Sequence, residues 1–219
     1  MKKSSLLVSI ILLIVSASCS NSPSDMKNSS ESDSPKDTSV KVVSAKADSN
    51  LVSFEKKLSL QGISYNIVVK GKGSIQQLRL ITTGLKGSID TADMELDPVS
   101  NAEIEDLDHD GFPELLIYTH SAGSGSYGKV VGFSPNKGKS ISLISFPELE
   151  MGTAAAKGYQ GHDEFAIVES NLLRRFKTYQ SDDANATPTG KIRQLTYQLK
   201  NGEASKKFVL VKTIEISEK

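Results

Sequence analysis

Beyond residue 50, apolar and polar positions alternate with a period of two along most of the chain, the pattern of strands that bury one face. Ile63 to Val69, Gln77 to Thr82, Glu114 to Thr119, Lys129 to Phe133, Ile141 to Phe146, Glu164 to Val168, Arg193 to Leu199 and Lys207 to Ile214 carry this alternation or a run of β-branched and aromatic side chains. Turn-forming sets separate them at hairpin spacing: Gly71-Lys-Gly73, Leu85-Lys-Gly87, Pro135-Asn-Lys-Gly138 and Asn201-Gly202. Long amphipathic helices are absent from the pattern, and its only helical hint is a short turn around Thr153 to Lys157. The expected fold is therefore all-β, an antiparallel β-sandwich or flattened barrel of about eight strands whose loops are free to make contacts.

The first 50 of the 219 residues follow a different pattern. Residues 1–19 open with Met-Lys-Lys, continue with an apolar run from Leu6 to Val15 and end in Ser-Ala-Ser-Cys, which reads as an export signal. The run is too short to cross a bilayer, which takes about 20 apolar residues. Small residues before Cys19 make this segment resemble the lipobox of bacterial lipoproteins, in which the cysteine becomes the lipid-bearing first residue of the mature chain. Ser16 stands where that box usually has leucine, and simple cleavage near Ser18 is the plainer alternative. Residues 20–50, rich in serine and without an aromatic side chain, bury too little to offset ordering and are expected to form a disordered tether. Residues 51–219 then make one domain of ordinary size. Cys19 is the only cysteine, so the domain has no disulfide to rest on, and the formal net charge of zero argues against nucleic acid as a partner.

Chemistry is concentrated in the stretch from Asp106 to Gly128. Asp106, Asp108 and Asp110, followed by Gly111, resemble the opening of a calcium loop, because alternate carboxylates on a tight turn converge on one hard cation. An EF-hand needs glutamate at the twelfth position, where this chain has Ile117; Glu114 takes the ninth, so Asp106, Asp108, Asp110 and Glu114 form the candidate metal set. The acidic turns of β-propeller repeats are closer, but the motif occurs once. An Asx-type turn with His109 pointing to solvent is the preferred reading.

Other matches fail on context. Gly132 and Gly138-Lys139-Ser140 have the wrong spacing for a phosphate loop and lead into a strand, and Ser134-Pro-Asn-Lys137 spells a turn where a nucleophilic serine needs a helix. His109, His120 and His162 lack zinc spacing, and no acyl-transfer nucleophile is visible. The loop from Ser121 to Gly128 remains. Gly123, Gly125 and Gly128 free its backbone, Ser121, Ser124 and Ser126 offer hydroxyls, and Tyr127 adds a large ring with a polar tip, a composition common in protein-binding loops and also in plain hairpins.

The run Asp106 to Gly128, together with Gly158-Tyr-Gln-Gly-His-Asp-Glu-Phe-Ala-Ile-Val168, Leu173-Arg-Arg-Phe176 and Thr187-Pro-Thr-Gly190 followed by Arg193-Gln194, resembles the periplasmic inhibitors of i-type (invertebrate-type) lysozyme. The likeness extends over the domain from about Leu51. It implies an exported all-β protein that performs no catalysis and places a Ser-Gly-x-Tyr motif, here Ser124-Gly125-Ser126-Tyr127, in the active-site cleft of the lysozyme. Ser124 and Tyr127 would make the principal contacts, Gly125 would set backbone geometry, and Ser121, Ser126 and Gly128 would support the loop. His162, Asp163, Glu164, Arg174 and Arg175 are expected to cap turns and pair with one another rather than to steer the enzyme. Lipidation at Cys19, with Ser20 following, implies a periplasmic, lipid-anchored protein sorted to the outer membrane. An exposed sheet edge could support a homodimer. The rival classes are a calcium-dependent exported adhesion or scaffold module built on the acidic turn, and an exported hydrolase whose catalytic residues meet only in three dimensions.

Overall fold

The computed structural model describes residues 50–86, 89–184 and 186–217. Cys19, the export signal, the tether up to residue 49 and Gly87 lie outside them.

Twelve strands follow in order: β1 (Val52–Leu60), β2 (Ile63–Lys70), β3 (Gln76–Thr83), β4 (Asp90–Leu96), β5 (Val99–Glu105), β6 (Glu114–His120), β7 (Gly128–Pro135), β8 (Ile141–Ile144), β9 (Glu164–Val168), β10 (Asn171–Lys177), β11 (Ile192–Asn201) and β12 (Lys206–Ile216). They form three four-stranded antiparallel sheets, each an up-and-down meander of consecutive strands, β1 to β4, β5 to β8 and β9 to β12. All eight expected strands are present. The described residues hold twelve strands rather than about eight, the additional four being β1, β4, β5 and β10. No sheet closes into a barrel, so the sandwich is the form adopted and the flattened barrel is not. Thr153 to Lys157 form hydrogen-bonded turns, Ala156 N–H to the Thr153 carbonyl among them, without a regular helix.

Alternation within β6 explains the layering. Leu115 and Ile117 pack with Ile63, Tyr65, Ile67, Leu78 and Leu80 of the first sheet, whereas Leu116 and Tyr118 pack with Leu172, Phe176, Leu195, Tyr197 and Phe208 of the last. A strand with cores on both sides buries successive positions, and β6 runs Leu-Leu-Ile-Tyr from residue 115 to 118 and is buried from Glu114 to Thr119. The sheet β5 to β8 is therefore the middle of three layers. Ser145, just after β8, adds a parallel bridge to β12, its N–H donating to the Lys206 carbonyl and its carbonyl accepting from the Phe208 N–H. Buried along all but its last residue, the central strand β6 fixes the two turns at its ends to a well-packed part of the molecule.

Candidate functional site

The loop Ser121 to Gly128 leaves the C-terminal end of β6 and closes on itself before β7. The Ser121 N–H donates to the Tyr127 carbonyl at 2.9 Å, the Tyr127 N–H donates to Ser121 Oγ at 2.9 Å, and the Ser126 N–H donates to the Gly123 carbonyl at 2.9 Å. Ser126 takes the left-handed conformation, with φ of 42°, that lets the chain turn there.

A second segment, residues 158–163 leading into β9, holds the loop from behind. The His162 N–H donates to the Gly125 carbonyl at 2.8 Å, and the Gly128 N–H donates to Asp163 Oδ2 at 2.7 Å. Gly161 permits this approach twice over: its φ is +93°, and a Cβ there would collide with the Gly125 carbonyl oxygen.

Asp163 is the node of this support. Its Oδ1 accepts from Arg174 Nε at 2.7 Å, its Oδ2 also accepts from the Tyr159 hydroxyl at 2.7 Å, and its carbonyl lies 2.7 Å from His120 Nε2. Arg174 Nη2 donates to the Tyr159 oxygen at 2.7 Å, and the guanidinium lies over the Tyr159 ring, 4.9 Å from its centroid. The Asp163 and Arg174 side chains are 0 % and 5 % exposed, so neither charge meets bulk water and each depends on the other. Burial works against the Arg174 charge, but the hydrogen bond and attraction of Asp163 outweigh it and hold the guanidinium above its ordinary pKa. Burial, followed by the Asp163 carboxylate, pushes the Tyr159 phenol up.

With its backbone so engaged, the loop turns the side chains of Ser124 and Tyr127, and the small Ala122, outward. Ser124 is exposed, and Tyr127 is 46 % exposed, its ring over Gly125 and edge-on to Tyr159 with centroids 5.7 Å apart. A groove of about 450 Å³ beside it is walled by Tyr127, Val130, Phe146, Leu149 and Tyr159. The six loop residues singled out in the sequence thus divide into three jobs. Gly125 and Gly128 tie the loop to its supports, Ser121 and Ser126 close and shape it, and Ser124 and Tyr127 face out. Of the charged residues expected to pair, Asp163 and Arg174 do so beneath the loop, and His162 supplies its backbone N–H. Glu164 is exposed, and Arg175 donates to Gln194 Oε1 at 2.7 Å. Tyr159 was not singled out, since nothing local to it tells of Arg174 fifteen positions on.

The turn at the other end of β6 is built in the opposite sense. Asp106 accepts the N–H groups of Asp110 and Gly111, each at 3.0 Å, and Asp110 accepts the Phe112 N–H at 2.9 Å, which makes this an Asx-type turn with His109 exposed. Asp106, Asp108 and Glu114 bring one carboxylate oxygen each within 4.8 Å of one another, with Asp110 at the rim. Lys206, at the start of β12, extends its Nζ among these carboxylates, 2.7 Å from Asp108, 2.8 Å from Asp110 and 3.0 Å from Glu114. Glu114 is fully buried; it also accepts from the Leu107 N–H and the Ser134 hydroxyl. Burial drives its carboxyl pKa up against the downward pull of Lys206 and these donors. Burial opposes the Lys206 charge in turn, while its bonds to Asp108, Asp110 and Glu114 carry its pKa above the ordinary lysine value.

Comparison with protein-family models, with curated proteins and with solved structures found no match.

Proposed function

We propose that this protein is a stoichiometric inhibitor of i-type lysozyme that blocks the enzyme's active-site cleft with the Ser121 to Gly128 loop and performs no chemistry itself. The observation that carries this reading is the division of labour in the loop: its backbone is bonded to buried supports while Ser124 and Tyr127 face outward. A loop held in this way loses little conformational entropy on binding, so its contacts count almost fully toward affinity. The Ser-Gly-x-Tyr likeness of Ser124 to Tyr127 supplies the partner. A lysozyme cleft carries a glutamate acid and a second carboxylate in a sugar-binding groove. The Ser124 hydroxyl is a donor suited to those carboxylates, and the Tyr127 ring is of a size to occupy space meant for sugar.

Lipid attachment at Cys19 and a Ser-rich tether would hold the inhibitor at the periplasmic face of the outer membrane, near the peptidoglycan it protects. A homodimer, if formed, would use the β12 edge, where Val209, Leu210 and Val211 are exposed. The calcium-dependent module is the weaker reading, because Lys206 Nζ already brings positive charge to Asp108, Asp110 and Glu114.

The test is inhibition of an i-type lysozyme, with c-type and g-type enzymes as controls. Selective, saturable inhibition at one inhibitor per enzyme is expected. A folded protein without effect on the i-type enzyme, yet with a calcium-dependent melting temperature, would replace this reading with the module.

A further inference from the structure

The charged pair beneath the loop has a role that the outward residues do not reveal. We infer that Asp163, with Arg174 and Tyr159, is a positioning device that sets how often the Ser121 to Gly128 loop is in its binding conformation. Three facts converge on it. Asp163 Oδ2 accepts the Gly128 N–H at 2.7 Å, at the point where the loop rejoins β7. The backbone on either side of the Asp163 side chain is also engaged, His162 N–H with the Gly125 carbonyl and the Asp163 carbonyl with His120 at the end of β6. Tyr159 joins the node to the binding surface, because its hydroxyl bonds both Asp163 and Arg174 while its ring stands edge-on to Tyr127. The buried carboxylate of Asp163 therefore meets one end of the loop and, through Tyr159, its principal aromatic side chain, while the backbone of residues 162 and 163 meets the tip and the end of β6.

Burial excludes the other role open to these charges. With Arg174 at 5 % and Asp163 at 0 % side-chain exposure, neither is placed to steer an approaching partner. Their effect on binding passes through the loop. When a loop is competent only part of the time, its apparent affinity falls by that fraction, and the loss falls on association.

This inference rests on the inhibitor reading for its binding consequence, but its structural half is testable alone. Amide hydrogen exchange of the full chain is compared for wild type, Asp163→Asn and Tyr159→Phe, beside association and dissociation rates with i-type lysozyme. Tyr159→Phe keeps the ring and removes one bond to Asp163 and one to Arg174, so it serves if Asp163→Asn does not fold. Faster exchange confined to the amides of Ser126, Tyr127 and Gly128 is expected, with association slowed about tenfold in Asp163→Asn, about threefold in Tyr159→Phe, and dissociation changed less. Unchanged loop exchange in a folded variant, or exchange raised evenly through all three sheets, overturns the positioning role. Loosened loop amides in a protein whose wild type inhibits no i-type lysozyme would retain the device and remove the proposed function.

Discussion

β6 ends in two polar turns of similar length, and they use their polar groups in opposite ways. At its N-terminal end, Asp106, Asp108, Asp110 and Glu114 are met internally, by backbone N–H groups, Ser134, Gln61 and the Lys206 ammonium, with Asp108 Oδ1 alone among these carboxylate oxygens buried without a hydrogen bond. At its C-terminal end, Asp163 and the residues around it satisfy the backbone of the loop and leave Ser124 and Tyr127 facing water. A polar cluster that answers its own charges fastens sheets together; one whose scaffold meets the backbone and frees the side chains is equipped to bind. Lys206 makes the first case concrete, since it joins the first turn of the central sheet to the start of β12, the edge strand of the last sheet.

The largest effect that would sharpen this contrast is on stability. Lys206→Met should leave the fully buried Glu114 without its cation and lower the unfolding free energy in urea by about 3 kcal/mol, with no change in inhibition. A variant as stable as wild type would show that the acidic turn is not a fastening. The same pair predicts a pH dependence. The pKa of Lys206 is raised above 10.5 in the folded state, so its contribution is fully present below 10.5 and is lost as pH rises through the higher folded value. The stability difference between wild type and Lys206→Met should accordingly be flat from neutrality to about pH 10 and shrink above it, as read by alkaline urea titrations; growth with pH would contradict the assignment.

A smaller effect is that of Ser124→Ala, expected to cost about 1 kcal/mol of binding, roughly a fivefold weaker inhibition constant, with stability unaltered. The smallest effect belongs to Arg175→Glu. Arg175 lies on the exposed side of β10, where it donates to Gln194, and its reversal should move both stability and association by less than about 0.5 kcal/mol. Strongly slowed association in that variant would show that charge around the loop steers the partner after all.

Which parts of this were legible in the sequence follows from how local their causes are. Strands such as β2 and β11, with buried residues at every second position, announce themselves. β5 does not, because a bulge between Val99 and Asn101 breaks the alternation and only Val99, Ala102 and Ile104 are apolar. β4 puts Asp93 and Glu95 between Ala92, Met94 and Leu96, a composition poor in β-formers. In β10 the buried position 174 is an arginine, which makes sense only once Asp163 is beside it. The loop was legible by composition, since glycine, serine and one tyrosine occur together. Of its supports, the pairing of Asp163 with Arg174 was legible from their charges, but the part of Tyr159 and the position of the pair beneath the loop depend on contacts between residues 11 to 35 positions apart. Lys206 was not legible at all: it lies 92 positions from Glu114, and nothing around it in the chain distinguishes it from any surface lysine.

The contrast between the two turns is tested most directly by one paired measurement, the inhibition constant for i-type lysozyme and the unfolding free energy of Tyr127→Ala. Tyr127 is exposed and bonded to its supports chiefly through the backbone, so the account predicts inhibition weakened about thirtyfold, near 2 kcal/mol, with stability within about 1 kcal/mol of wild type. An unchanged inhibition constant would contradict it, and would mean that the loop, like the acidic turn at the other end of β6, serves the fold alone.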